Sequence, residues 1–263
     1  MRPFAEILDL ASGHHGSPEQ MMAAARNEFA VSDLTATPDD RYLSEMTKAV
    51  FSAGFSWKVI RQKWPGFEAA FEGFQPNRVS FFSDEDVDRL LSNAAIVRNG
   101  QKITATIANA RFVVETAKTH GSFGQFLPDW PADAQAGLLA HLGKHGSRLG
   151  GATAQYFLRF SGYDAWIASK DVCAALMREG VLDKPSATSK TALKKSDTAM
   201  TQLHQESGLP RAELSRLLAL SIGPTRPSTR PLSRAIRRRS RVRLAFRFWS
   251  ARATKAYGRW TQF

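Results

Sequence analysis

The chain has 263 residues, 43% of them hydrophobic, and a formal charge of +12, which allows one compact helical domain or two lobes with a core. A single cysteine, Cys173, excludes an internal disulfide and a cysteine-based zinc cluster and fits a reducing cytoplasm; no run approaches the roughly eighteen apolar residues of a membrane span. The charge is uneven: residues 224–263 hold eleven arginines and Lys255 without one acidic residue, so residues 1–223 are formally neutral.

In chain order nearly everything reads as helix. Residues 3–11 are a short apolar-rich helix ended by Ser12-Gly13, preceded by no basic-then-apolar order, so no secretion signal is expected. Residues 18–29 follow. Val31–Asp40 is turn-like, and Asp39 or Asp40 is expected to cap a helix through Tyr42, Met46, Ala49, Val50 and Ala53. Ser56–Lys63 is a helix stopped at Trp64-Pro65-Gly66, with a short helix over Phe67–Phe74. Ser83-Asp84-Glu85-Asp86 is a cap with an acidic first turn, turning Val87, Leu90 and Leu91 inward. After a turn at Ala94–Gly100, Gln101–Thr119 carries Ile103, Ile107, Ala110 and Val114 on one stripe. Residues 132–143 form a helix, Thr188–Ser207 another, and Pro210–Ile222 the last; no strand alternation appears, and the class is all-α.

Between two of these helices lies Lys144-His145-Gly146-Ser147-Arg148-Leu149-Gly150-Gly151-Ala152-Thr153. Gly150 and Gly151 break the helical pattern, and Ala154, Phe157 and Leu158 resume it, so a helix starts near Ala152. Unpaired first-turn amides with a positive dipole end suit a phosphate oxygen, and Lys144 and Arg148 add charge. Two glycines between helices also make a plain αα turn, and that reading stays open. A helix follows Asp171 to about Glu179.

Two blocks resemble the type I 3-methyladenine DNA glycosylases of the helix-hairpin-helix glycosylase superfamily. The first is Ala53-Gly54-Phe55-Ser56-Trp57, then Asp86-Val87-Asp88-Arg89-Leu90, Ile96-Val97-Arg98, Lys102-Ile103 and Asn109-Ala110-Arg111; the second is the glycine hairpin. The likeness spans roughly residues 40–175. It implies a helix-hairpin-helix DNA glycosylase-like fold, two helical lobes with a cleft between them. It also implies a base-excision enzyme that removes an alkylated purine from double-stranded DNA. Departures are plain. The family's Tyr-His-Asp-x-Glu-Trp-Gly segment has no counterpart. His14 and His15 are adjacent and Cys173 stands alone, so no zinc and no other cofactor is expected. The family's base-recognising glutamate falls on Ala49, with Glu45 one helical turn earlier.

The resemblance assigns roles residue by residue. Asp171 is the carboxylate placed after the hairpin, its alternative role being a helix N-cap; Glu45 is a second acidic candidate. Trp57 and Phe55, with Tyr42 and Trp166 behind them, are expected to wall the base site, against the ordinary alternative of core aromatics. DNA-backbone contacts fall to Gly150, Gly151, Thr153, Lys144 and Arg148, with Arg98, Asn99 and Lys102 as a second basic site. Ala152 occupies the position of the lysine found in lyase-active relatives, so base removal without strand cleavage is implied. The expected setting is a monomer in the cytoplasm, on nucleoid DNA and off the membrane. A non-catalytic lesion binder and a helical scaffold are the rival classes. Residues 224–263 read as a separate arginine-rich appendage, either a basic arm or an out-of-frame end of the gene.

Overall fold

A computed structural model describes residues 1–131, 133–187 and 189–223. The appendage expected at 224–263 lies outside the described residues. Among the described residues every regular element is a helix, as the periodicity predicts.

Helix α1 (Phe4–His15) runs through Ser12-Gly13 and stops at Gly16, one turn beyond the expected end. Helix α2 (Pro18–Ala25) opens on a capping box between Ser17 and Gln20. Helix α3 (Asp39–Ser52) starts where expected but without a side-chain cap. Asp39 instead accepts the Phe123 amide at 2.8 Å, and burial, opposed by that bond, lifts its carboxyl above the usual range. Helix α4 (Trp57–Ala70) passes straight through Pro65, correcting the expected stop. Burial of Ile60, Phe67 and Ala70, with Trp64 stacked on Phe67 and Phe74, outweighs the one hydrogen bond that Pro65 is unable to donate.

A 3-10 turn, Glu72–Phe74, leads to the single turn α5 (Pro76–Val79). Helix α6 (Asp84–Ser92) has the expected capping box at Ser83 and Asp86, and Leu90 is fully buried. Leu91, expected to face inward, is 37% exposed. Helix α7 (Gly100–His120) is capped by Asn99, and α8 (Phe123–Phe126) by Ser122. Helices α9 (Gln135–His145) and α10 (Ala152–Phe160) form the hairpin pair. Helices α11 (Lys170–Arg178), α12 (Lys190–Ser207) and α13 (Arg211–Leu220) are the last among the described residues, α11 and α12 capped by Ser169 and Ser189.

Two large apolar cores share α3 and α7. On one side Tyr42, Met46 and Val50 of α3 meet Ala105, Phe112 and Val113 of α7, with Leu149, Phe157 and Trp166 beyond them. On the other, Leu43 and Phe51 meet Ile103 and Ile107, with Ile60, Phe67, Phe71 and Phe74. Both helices are thus apolar on two faces, which fixes their rotation and aims their ends. The two lobes implied by the resemblance are two cores on a common pair of helices.

Candidate functional site

The hairpin turns on a buried leucine. Leu149 has no exposed surface and plugs the first core, so the turn Gly146–Gly151 is anchored from within. A Cβ at Gly146 would meet Leu149 Cδ1 at 2.6 Å and Leu142 O at 2.8 Å, so the leucine and the glycine require each other. Gly151 caps α10 with φ 58° and ψ −130°, a conformation essentially reserved for glycine. Gly150 and Gly151 are exposed, and a Cβ at either would meet nothing within 4 Å. Lys144 and Arg148 are exposed beside them, and Thr153 is partly exposed in the first turn. These residues share one accessible rim at a helix N-terminus, an arrangement that can hold an anion.

The start of α7 borders this rim. Arg148 Nη2 donates to Gln101 Oε1, joining the two. Of the second basic group, Arg98 is exposed, whereas Asn99 caps α7 by accepting from the Lys102 amide at 3.1 Å. Lys102 points inward along α3: its Nζ donates to Phe51 O at 2.9 Å and Ala53 O at 2.8 Å. Burial and the nearby Arg148 charge pull its ammonium below the usual lysine value. Its ammonium is therefore engaged with the last carbonyls of α3, which the expectation of a simple backbone contact did not include.

The aromatic turn that follows α3 lies against the second helix of the hairpin. Trp57, half-buried at the first position of α4, meets Tyr156 at 5.7 Å and Phe160 at 5.3 Å, ring centre to ring centre. Tyr156 and Phe160 stack one turn apart on α10, and Phe29 packs edge-on against Phe160. Phe55 stands 45% exposed just before Trp57. Neither the Trp57 indole nitrogen nor the Tyr156 hydroxyl has a hydrogen-bond partner among the described residues, and burial raises the Tyr156 phenol, keeping it protonated. Tyr156, Phe160 and Phe29 were missed by sequence reasoning, although the four-residue spacing of Tyr156 and Phe160 puts both on one helix face.

Two other expected wall residues belong to the core. Tyr42 is fully buried, its hydroxyl donates to Leu34 O at 2.7 Å, and burial pushes its phenol up to about 12. Trp166 is also fully buried. Its indole donates to Asp197 Oδ1 at 2.7 Å, and Gln135 holds its backbone at both N–H and C=O. Every polar group of Trp166 is satisfied inside the protein, which leaves none to meet a base.

The carboxylates separate in the same way. Glu45 pairs with Lys48 at 2.5 Å, and the Lys48 ammonium lies over the Trp64 ring. Trp64 is seven residues along α4 from Trp57, about 10 Å of helix rise. Ala49, at the position of the family glutamate, is buried. Asp171 is exposed in the first turn of α11, and the cap expected of it is made by Ser169, whose hydroxyl accepts the Val172 amide at 3.2 Å. Gln155 of α10 accepts the Ala168 amide at 2.7 Å, so α10 touches Trp57 on one face and holds the approach to Asp171 on the next. Cys173 is buried, and burial raises its thiol. A groove of about 400 Å³ lined by Arg2, Glu6, Asp9 and His14 lies on α1 and includes none of the candidate residues.

Residues 34–138 match the methyladenine glycosylase family model. That stretch is similar to the methyladenine glycosylase family. DNA-3-methyladenine glycosylase 1 of Escherichia coli strain K12 is 36% identical over 75 residues, 28% of this chain and 40% of that protein. The Haemophilus influenzae DNA-3-methyladenine glycosylase is 27% identical over 75 residues with the same coverage. The chain thus aligns with about two fifths of the length of the curated relatives it matches. Among solved structures, a 3-methyladenine DNA glycosylase I is 27% identical, covering 56% of this chain and 90% of its own at a TM-score of 0.44. The glycosylase I determined in complex with 3-methyladenine is 24% identical, covering 59% and 92%, at a TM-score of 0.46.

Proposed function

We propose that the protein is a DNA glycosylase that hydrolyses the N-glycosidic bond of an alkylated purine, such as 3-methyladenine, in duplex DNA. The observation that carries this reading is α10 itself. Its N-terminus is the glycine hairpin, and its Tyr156–Phe160 face meets Trp57 of the segment that matches the family. Relatives that bear the name DNA-3-methyladenine glycosylase support the same substrate.

The chemistry follows from these parts. The hairpin amides of Gly150 and Gly151, with Thr153, Lys144, Arg148 and Arg98, hold phosphates on either side of the lesion. Extruding a base costs a few kcal/mol, least for a damaged one. The extruded base stacks on Trp57, and Phe55 borders the opening. An N-alkylated purine is cationic, and an indole face attracts a cation by about 0.5–2 kcal/mol. As the glycosidic bond breaks, positive charge grows on the sugar; Asp171 is the carboxylate that stabilises it and orients the attacking water. Glu45, held by Lys48, is the reserve acid. Ala152 offers no amine for a Schiff base, so the strand stays intact. The protein acts as a cytoplasmic monomer on nucleoid DNA.

The test is incubation of methylated duplex with purified protein and chromatography of the released bases. Wild type releases free methylated purine, and Asp171→Asn binds the duplex but releases at least tenfold less. Burial of Ala49 where the family carries its glutamate favours a second reading, a binder that recognises lesions without cutting. Binding of lesion duplex by wild type with no free base would select it.

A further inference from the structure

Two side chains of α7 reach the two halves of the site. Asn109 is fully buried. Its Oδ1 accepts the Ser147 amide at 2.7 Å, and its Nδ2 donates to Ser147 O at 3.1 Å. One side chain thus satisfies both main-chain polar groups of a hairpin residue, immediately before Arg148, whose φ of 58° reverses the chain. Lys102 stands seven residues earlier, two turns along the same face of α7. It draws Phe51 O and Ala53 O together at the end of α3, just before Phe55 and Trp57, and lies 5.8 Å from the Phe51 ring centre.

We propose that Asn109 and Lys102 are positioning residues that use α7 as a fixed spacer: Asn109 holds the phosphate-binding hairpin in shape, and Lys102 holds the base-stacking turn. This rests on the glycosylase reading. The physical case is that an amide on a helix interior has a poor intrinsic preference for helix and gains nothing from an apolar core. Its burial is favourable here because both its polar ends meet a loop that has no ladder of its own. Likewise a lysine whose ammonium is engaged by two carbonyls has little capacity left for a phosphate. The two clamps act on different steps. The hairpin decides how tightly duplex is held, and the turn decides how the extruded base sits.

The experiment compares Asn109→Ala and Lys102→Met in three readouts: base release from methylated duplex, the salt dependence of duplex affinity, and exchange of the Ser147 amide by NMR. Asn109→Ala is expected to raise KM about tenfold, leave kcat within about twofold, and expose the Ser147 amide to exchange. Lys102→Met is expected to lower kcat about fivefold and to leave the slope of log affinity against log salt unchanged. Asn109→Asp, which keeps the acceptor and loses the donor, gives a smaller KM effect and covers the case in which Asn109→Ala does not fold. Wild-type duplex affinity in the Asn109 variants, or a Ser147 amide still protected in them, overturns the hairpin clamp. A salt slope reduced by about one in Lys102→Met makes it a phosphate contact and overturns the second clamp. If wild type binds duplex but frees no base, the glycosylase reading fails alone, and affinity and amide exchange still decide Asn109. If wild type does not bind duplex, both fail.

Discussion

Trp57 and Trp166 contain the same indole in opposite conditions. Trp166 is fully buried, its backbone pinned by Gln135 and its indole by Asp197. Trp57 is half-buried, meets the rings of Tyr156 and Phe160, and its indole nitrogen has no hydrogen-bond partner among the described residues. A core residue has its polar groups answered from within; a binding residue leaves them open. Aromatic content alone does not separate the two roles. The network around each ring does.

The largest effect that can break this comparison is on stability. Trp166→Ala should cost about 3–5 kcal/mol, read from denaturant unfolding, because it opens a cavity and removes a hydrogen bond from buried Asp197. Trp57→Ala should cost only about 1–2 kcal/mol while lowering base release tenfold or more. If the two variants exchanged these effects, the assignment of Trp57 to a binding face would be wrong.

Next in size is the hairpin. Gly150→Asp places a negative charge at an open position with an ordinary φ. Duplex affinity at low salt should fall about tenfold with an unchanged unfolding midpoint. Gly151 is the poorer site for this test, since its φ of 58° would add backbone strain to the charge. An unchanged affinity for Gly150→Asp would remove the hairpin from the DNA contact.

The smallest effect concerns His141, which stacks on His145 at 4.3 Å just ahead of the hairpin. Burial, then the His145, His120 and Lys144 charges, lower its pKa below the ordinary value of about 6.5. A lowered folded-state pKa favours the neutral ring, so this contribution to stability is present above about pH 6.5 and is lost as pH falls through the folded value. Melting temperature should drop by about one or two degrees below pH 6.5, and His141→Leu should remove that dependence. A drop of the same size in the variant would assign it to other groups.

Much of this was legible in the sequence. The capping box at Ser83, the glycine hairpin and the stripe of α7 depend on local spacing, and local spacing is what a sequence displays. Three features were not legible because distant partners decide them. Pro65 itself is exposed and stays helical because the other face of α4, with Ile60, Phe67 and Ala70, is buried in a core shared with α3 and α7. Lys102 reads as a surface cation until the end of α3, some fifty residues earlier, is seen beneath it. Trp166 reads as a candidate base wall until Asp197, thirty-one residues later, is found at its indole. Asn109 did leave a trace: an amide within the apolar run of a long helix is a local cost that needs a buried partner to offset it.

The most direct measurement uses the indole N–H resonances of the six tryptophans in a nitrogen-15 NMR spectrum, assigned by single substitutions. On addition of 3-methyladenine, or of duplex carrying it, the Trp57 signal should move and the Trp166 signal should stay. A Trp57 signal that does not respond, or a Trp166 signal that moves in its place, would contradict the account.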